Sequence, residues 1–86
     1  MEYTAIDTYD LNEIIKANKS VPIVVIYSAD WCNPCKDAKP KVKALCNTYK
    51  CVYVEVNIDE AEELAEVYEV TKIPTVHVFL NGVLKE

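Results

Sequence analysis

The sequence is poor in the residues that make flexible linkers, metal cages and nucleic-acid surfaces. Among 86 residues there is one Gly and one His, beside four Pro. With so little glycine and no Ser/Gly-rich stretch, nothing reads as a linker or a disordered tract. No internal repeat or low-complexity segment is present. The lone His77 offers no histidine pair to a zinc ion. It reads instead as a packing or surface residue in mid-strand. Positive charge is also scarce: nine Lys and Arg stand against fourteen Asp and Glu, a formal net charge of −5. Binding phosphates needs a basic face, so no nucleic-acid partner is expected. The acidic surface is read as a source of solubility. Long apolar runs are missing as well. None approaches the ~20 residues that cross a bilayer, so no membrane partner is expected. The first ten residues, MEYTAIDTYD, are acidic and lack the apolar centre of a secretory signal. A soluble, cytoplasmic protein is the expectation.

What is present is a regular alternation of element signals, enough for one small domain over 1–86 with a lean core. Residues 3–6 read as a short strand. Asp7, Thr8 or Asp10 is placed to cap a helix whose apolar stripe is Leu11, Ile14 and Ile15. The run 21–27 (VPIVVIY) is continuously apolar and β-branched, the mark of a strand buried on both faces beside a parallel neighbour. A second helix is predicted from about Asn33 to Asn47. Pro34 falls in its first turn, where a missing N–H costs nothing. Pro40 falls inside it, where a kink is expected. Val42 and Leu45–Cys46 are assigned to its buried side. Residues 51–57 alternate: Val52, Val54 and Val56 share one face, and Cys51, Tyr53, Glu55 and Asn57 the other. An acidic helix is predicted over 59–69 with Leu64, Val67 and Tyr68 inward. A strand over 75–80 follows, then Asn81-Gly82 as a hairpin turn and a short strand over 83–85. The order β-α-β-α-β-α-β-β specifies an α/β protein with a central mixed sheet flanked by helices.

The chemistry concentrates in Trp31-Cys32-Asn33-Pro34-Cys35-Lys36, which joins the buried strand to the second helix. Two residues between cysteines at a helix start bring the sulfurs within bonding reach. The helix N-terminus aims unpaired N–H groups and partial positive charge at the first of them. That favours the thiolate, which is the nucleophile. Cys32 is therefore the expected exposed attacker, and Cys35, one turn further in, the shielded resolving thiol. The competing reading of such a pair is half a zinc site, which needs a second ligand pair. Cys46 and Cys51 do not have that spacing, so no metal is expected. They read as core thiols, with a second disulfide or a regulatory thiol as the alternative. Lys36, Lys39, Lys41 and Lys43 line the same helix, either as a solvated face or as charges that stabilise the thiolate and steer acidic partners.

These motifs, with Pro40, the VNID segment at 56–59 and the Ile73-Pro74-Thr75 segment before an apolar strand, resemble the thioredoxin family over most of the chain. The resemblance implies the thioredoxin fold, protein-disulfide reduction through Cys32 and Cys35, and no cofactor beyond the reversible disulfide. It implies disulfide-containing protein substrates and a thioredoxin reductase or its equivalent as partners. It also implies that Pro74 is cis and faces the dithiol, so that Ile73 offers main-chain groups to a substrate strand. Trp31, Pro34, Ile73 and Pro74 are then the apolar patch that receives partners. A redox-inert interaction module and a glutaredoxin-like or oxidase role are the alternatives. Within the enzymes, the Trp-Cys start favours thioredoxin.

Three departures from the family pattern stand out. Asn33-Pro34 replaces the commoner Gly-Pro between the cysteines. The buried Asp usually found six residues before the first cysteine is Ile26; Glu55, which breaks the apolar tone of its strand, is the candidate substitute. The chain ends at Glu86, without the family's last helix. Its absence is expected to bare Val76/Val78 or His77/Phe79 and to invite self-association.

Overall fold

The computed structural model describes residues 1–85. Their order is β1 (Glu2–Thr4), α1 (Thr8–Ala17), β2 (Ile23–Ser28), α2 (Asn33–Tyr49), β3 (Val52–Asn57), α3 (Glu62–Val67), β4 (Thr75–Leu80) and β5 (Val83–Leu84). The strands form one sheet in the order β1-β3-β2-β4-β5. β3 runs parallel to β1 and β2, while β4 is antiparallel to both β2 and β5. The sheet is thus mixed, as the pattern of elements predicts.

The central strand is β2. Val25, Ile26 and Tyr27 are wholly buried, as expected of a continuous β-branched run. Its two faces feed two cores. On one side Val25 and Tyr27 join Val52, Val54, Val56 and Phe79 beneath Leu11, Ile14 and Ile15 of α1 and Leu64 of α3. On the other, Ile26 and Tyr53 pack with Cys46, Val42 and Ala38 of α2. The alternation of β3 divides its residues between these cores as the sequence predicts.

Several boundaries shift for local reasons. β1 ends at Thr4 because the chain turns toward the cap of α1. There Ile6 N–H donates to Asp10 Oδ2 at 3.1 Å, and Asp10 N–H donates to Asp7 Oδ1 at 2.8 Å. Asp7 is therefore the cap among the three candidates. α2 continues through Pro40 to Tyr49, two residues beyond the predicted end. α3 shrinks to six residues and has no side-chain cap. Glu63, at its start, accepts hydrogen bonds from Thr8 N–H (3.2 Å) and Oγ1 (2.7 Å), which ties α3 to α1 and lowers the Glu63 pKa. In the closing hairpin Asn81 and Gly82 both have positive φ, 55° and 81°, as a two-residue primed turn requires.

Two residues assigned inward are not. Val67 is 55% exposed, because it lies in the last turn of a helix too short to bury more than Leu64. Leu45 is 56% exposed, because α2 covers only part of its sheet face. The uncovered part is β4. Register pairs Val24 with Val78 and Ile26 with Val76, so Val76 and Val78 share the α2 face. They line an apolar groove with Leu45 and Tyr49. Of the two pairs named as candidates for exposure, this is the bared one; Phe79 is buried. No helix follows β5 among the described residues.

Candidate active site

The cysteine pair sits where β2 ends and α2 begins. Cys32 is the N-cap of α2, with extended backbone, and its Sγ accepts the Cys35 N–H at 3.2 Å. Pro34 lies in the first turn. This local geometry follows from the sequence: a proline without N–H tolerates the helix start, and a polarizable sulfur takes the orphan donor that Ser or Asp takes elsewhere. The Cα atoms of Cys32 and Cys35 are 5.3 Å apart and the sulfurs are joined in a disulfide. The helix dipole points its positive end at Cys32, so a negative charge that develops on this sulfur is stabilised there.

Burial departs from expectation. Cys35 is wholly buried, but Cys32 is only 5% exposed. As the N-cap its sulfur turns into the helix end, and Ala29, Ile58 and Ile73 close around the pair. The accessible edge still belongs to Cys32 alone. Asn33, Pro34 and Lys36 are exposed around it.

The Ile73–Pro74 peptide bond is cis. Ile73 packs directly on the cysteine cluster, and Pro74 is exposed beside it. β4 thus brings a segment about forty residues away in sequence onto the dithiol. Thr75 Oγ1 donates to the Lys72 carbonyl and closes the turn before it. Trp31 is 65% exposed and forms, with Ile58, Val70, Thr71, Lys72 and Ile73, a shallow cleft of about 420 Å³. Its indole Nε1–H donates to Asp59 Oδ2 at 2.9 Å. The sequence places Asp59 at the end of the VNID segment and the start of the predicted acidic helix, with no role at the site. Only the fold shows that it reaches Trp31.

Glu55 lies on β3 opposite Ile26 on β2. It is half-buried, accepts the Tyr53 hydroxyl at 2.9 Å, and lines a groove with Lys36, Lys39, Pro40 and Lys43. Burial, then the Glu55 hydrogen bond, push the Tyr53 pKa up, so Tyr53 is a fixed donor. His77 packs edge-on against Tyr27 and Tyr68, with Nδ1 3.1 Å from the Tyr27 hydroxyl. Among the described residues, no group of three or more His, Cys, Asp or Glu side chains is placed to hold a metal ion. No described helix is long and apolar enough to cross a membrane.

The thioredoxin family model matches residues 3–86. A thioredoxin from Echinococcus granulosus is 38% identical over 78 residues, covering 90% of this chain and 71% of that protein. One from Mycoplasma genitalium is 38% identical over 77 residues, 88% of this chain and 74% of that protein. The crystal structure of Fasciola hepatica thioredoxin superposes with a TM-score of 0.92 at 34% identity, covering 98% of this chain and 82% of that one. A disulfide-forming pair at a helix N-terminus, the cis-proline segment packed beside it and this sequence and fold similarity agree: the chain belongs to the thioredoxin family and is a thiol–disulfide oxidoreductase.

Proposed function

We propose that the protein reduces disulfides in other proteins, with Cys32 as nucleophile and Cys35 as resolving thiol. The observation that carries this reading is the placement of Cys32 at the N-cap of α2, with the only accessible edge of the pair. In the reduced protein the Cys32 thiolate attacks one sulfur of a substrate disulfide. That S–S bond breaks, and one substrate sulfur leaves with the electron pair. The Cys35 thiolate then attacks Cys32 Sγ and expels the second substrate sulfur. Two electrons have passed to the substrate, and the Cys32–Cys35 disulfide remains for a dithiol reductase to reopen.

Trp31, Pro34, Ile73 and Pro74 form the receiving surface in this reading. The main chain of Ile73 pairs with an extended substrate segment as an added strand does. Asn33 and Lys36 border that surface, and Lys36 favours acidic partners by charge. No cofactor takes part, and the reducing cytoplasm is the setting, in keeping with two further free thiols. Glu55 acts as a positioning residue that relays the Cys35 proton in place of the buried Asp, since it faces Ile26 across the β2–β3 ladder.

Insulin reduction driven by dithiothreitol tests the activity. Catalysed precipitation is expected for the wild type, and none for Cys32→Ser. A wild type no faster than dithiothreitol alone would sink the reading. Glu55→Gln is expected to alter the pH profile of the resolving step without abolishing it. An unchanged profile removes Glu55 from the mechanism.

A further inference from the structure

Two thiols lie outside the active site, Cys46 buried and Cys51 half-buried, and both are free. The end of α2 brings them together. Lys50 adopts the left-handed conformation, φ 57° and ψ 43°, and its N–H bonds to the Cys46 carbonyl. The Cys51 N–H bonds to the same carbonyl at 2.9 Å. This is the six-to-one closure of a Schellman turn, which sets the side chain after the left-handed residue against the one five positions earlier. Cys51 and Cys46 hold those two positions. The bent Cys46 carbonyl spans about 2.4 Å from Cα to O, so this hydrogen bond and the N–Cα bond of Cys51 keep the two Cα atoms within about 6.8 Å, the upper end of the range that disulfides span. Cys51 packs on the same cluster that contains Cys46.

The pair is also reachable. Both cysteines line a cleft of about 340 Å³ shared with Met1, Asn18 and Lys50. They also border the apolar groove of Leu45, Tyr49, Val76 and Val78. The dithiol therefore lies between a cleft that carries the Lys50 ammonium and an apolar groove.

We propose that Cys46 and Cys51 form a second thiol–disulfide exchange site, one that takes a low-molecular-weight anionic disulfide such as glutathione disulfide and closes to a Cys46–Cys51 bridge. Cys51, the more accessible thiol, loses its proton and attacks one sulfur of glutathione disulfide. The S–S bond breaks and one glutathione thiolate leaves with the electron pair. Cys46 then attacks Cys51 Sγ and expels the second glutathione. Both protein thiols are oxidised, one disulfide is reduced to two thiols, and the two protons end on the two glutathione molecules. Burial, and secondarily the neighbouring Cys51, push the Cys46 thiol up, which suits a resolving thiol that stays protonated until the mixed disulfide forms beside it.

The test uses the full chain with Cys32–Cys35 already oxidised, which leaves two alkylatable thiols. Incubation with glutathione disulfide is expected to reduce that count to zero, with loss of two hydrogens in mass and no retained glutathionyl group. Trypsin cuts after Lys50, so the bridge should link the peptide that ends there to the peptide that begins at Cys51. Cys46→Ala is expected to retain one glutathionyl group on Cys51, and Cys51→Ala to remain unmodified. If either variant fails to fold, rapid quenching of the wild type replaces it and should trap the glutathionyl intermediate on Cys51. The proposal is overturned if the wild type keeps both thiols, retains a glutathionyl group at the end point, or forms an intermolecular Cys51 bridge. Modification of Cys46 in Cys51→Ala overturns the order of attack.

Discussion

Leu64 and Val67 lie on the same short helix, three residues apart, and the structure assigns them opposite fates. Leu64 is wholly buried among Leu11, Val54, Val56 and the rest of the α1-side core, whereas Val67 is 55% exposed. α3 has six residues and no side-chain cap, so Leu64 is the only residue by which it is buried. Truncating a buried Leu to Ala typically costs about 2–5 kcal/mol, from lost transfer energy plus the cavity left behind. With little helix to hold its shape here, the surroundings can collapse in part, and about 3 kcal/mol is expected. A chain of this length has roughly 4–13 kcal/mol of stability in all, so Leu64→Ala removes a large share. The corresponding fall in Tm is about 12–24 °C. Val67→Ala should stay within about 0.5 kcal/mol. Urea titration of both variants, followed by circular dichroism, gives the comparison; midpoints should separate while m-values remain equal. α3 also leads into residues 70–73 beside the dithiol, so Leu64→Ala should slow insulin reduction at temperatures where it is still folded. Equal losses from Leu64→Ala and Val67→Ala would refute the assignment of α3's inner face.

Asp7→Ala removes the cap of α1 and should cost about 1 kcal/mol, read as a drop in urea midpoint; Tyr9→Ala, at an exposed position of the same turn that leaves the cap intact, provides the comparison. Trp31 is the only tryptophan, so its emission reports on its hydrogen bond to Asp59. Asp59→Ala should shift that emission, and Asp59→Asn, which keeps an acceptor, should shift it less; identical spectra for all three proteins would remove the contact. Burial depresses the His77 pKa below its ordinary 6.5, so between the folded and unfolded values the unfolded chain binds more protons. The His77 contribution is therefore complete above pH 6.5 and is lost as pH falls below it. The stability difference between wild type and His77→Gln, measured by urea titration from pH 8 to 5, should shrink toward acid, and a constant difference would contradict the burial of the ring.

The sequence determined the reaction class and the order of elements by itself. The spacing of Cys32 and Cys35, Pro34 in the first turn and the apolar run before them are local signals, and the local backbone they dictate is the one observed. The alternation of β3 and the Asn81-Gly82 turn were legible for the same reason, since pleat and turn conformations depend on near neighbours. Exposure was not legible in this way. Whether Leu45, Val67 and Cys32 face solvent depends on how far a helix extends over a sheet and what closes against it, and residues distant in sequence decide both. The Trp31–Asp59 hydrogen bond, the seat of Ile73 on the dithiol and the uncovered Val76/Val78 face likewise exist only once β3 and β4 are laid beside β2. Even the meeting of Cys46 and Cys51, five residues apart, needed the left-handed backbone at Lys50, which a lysine codon does not announce.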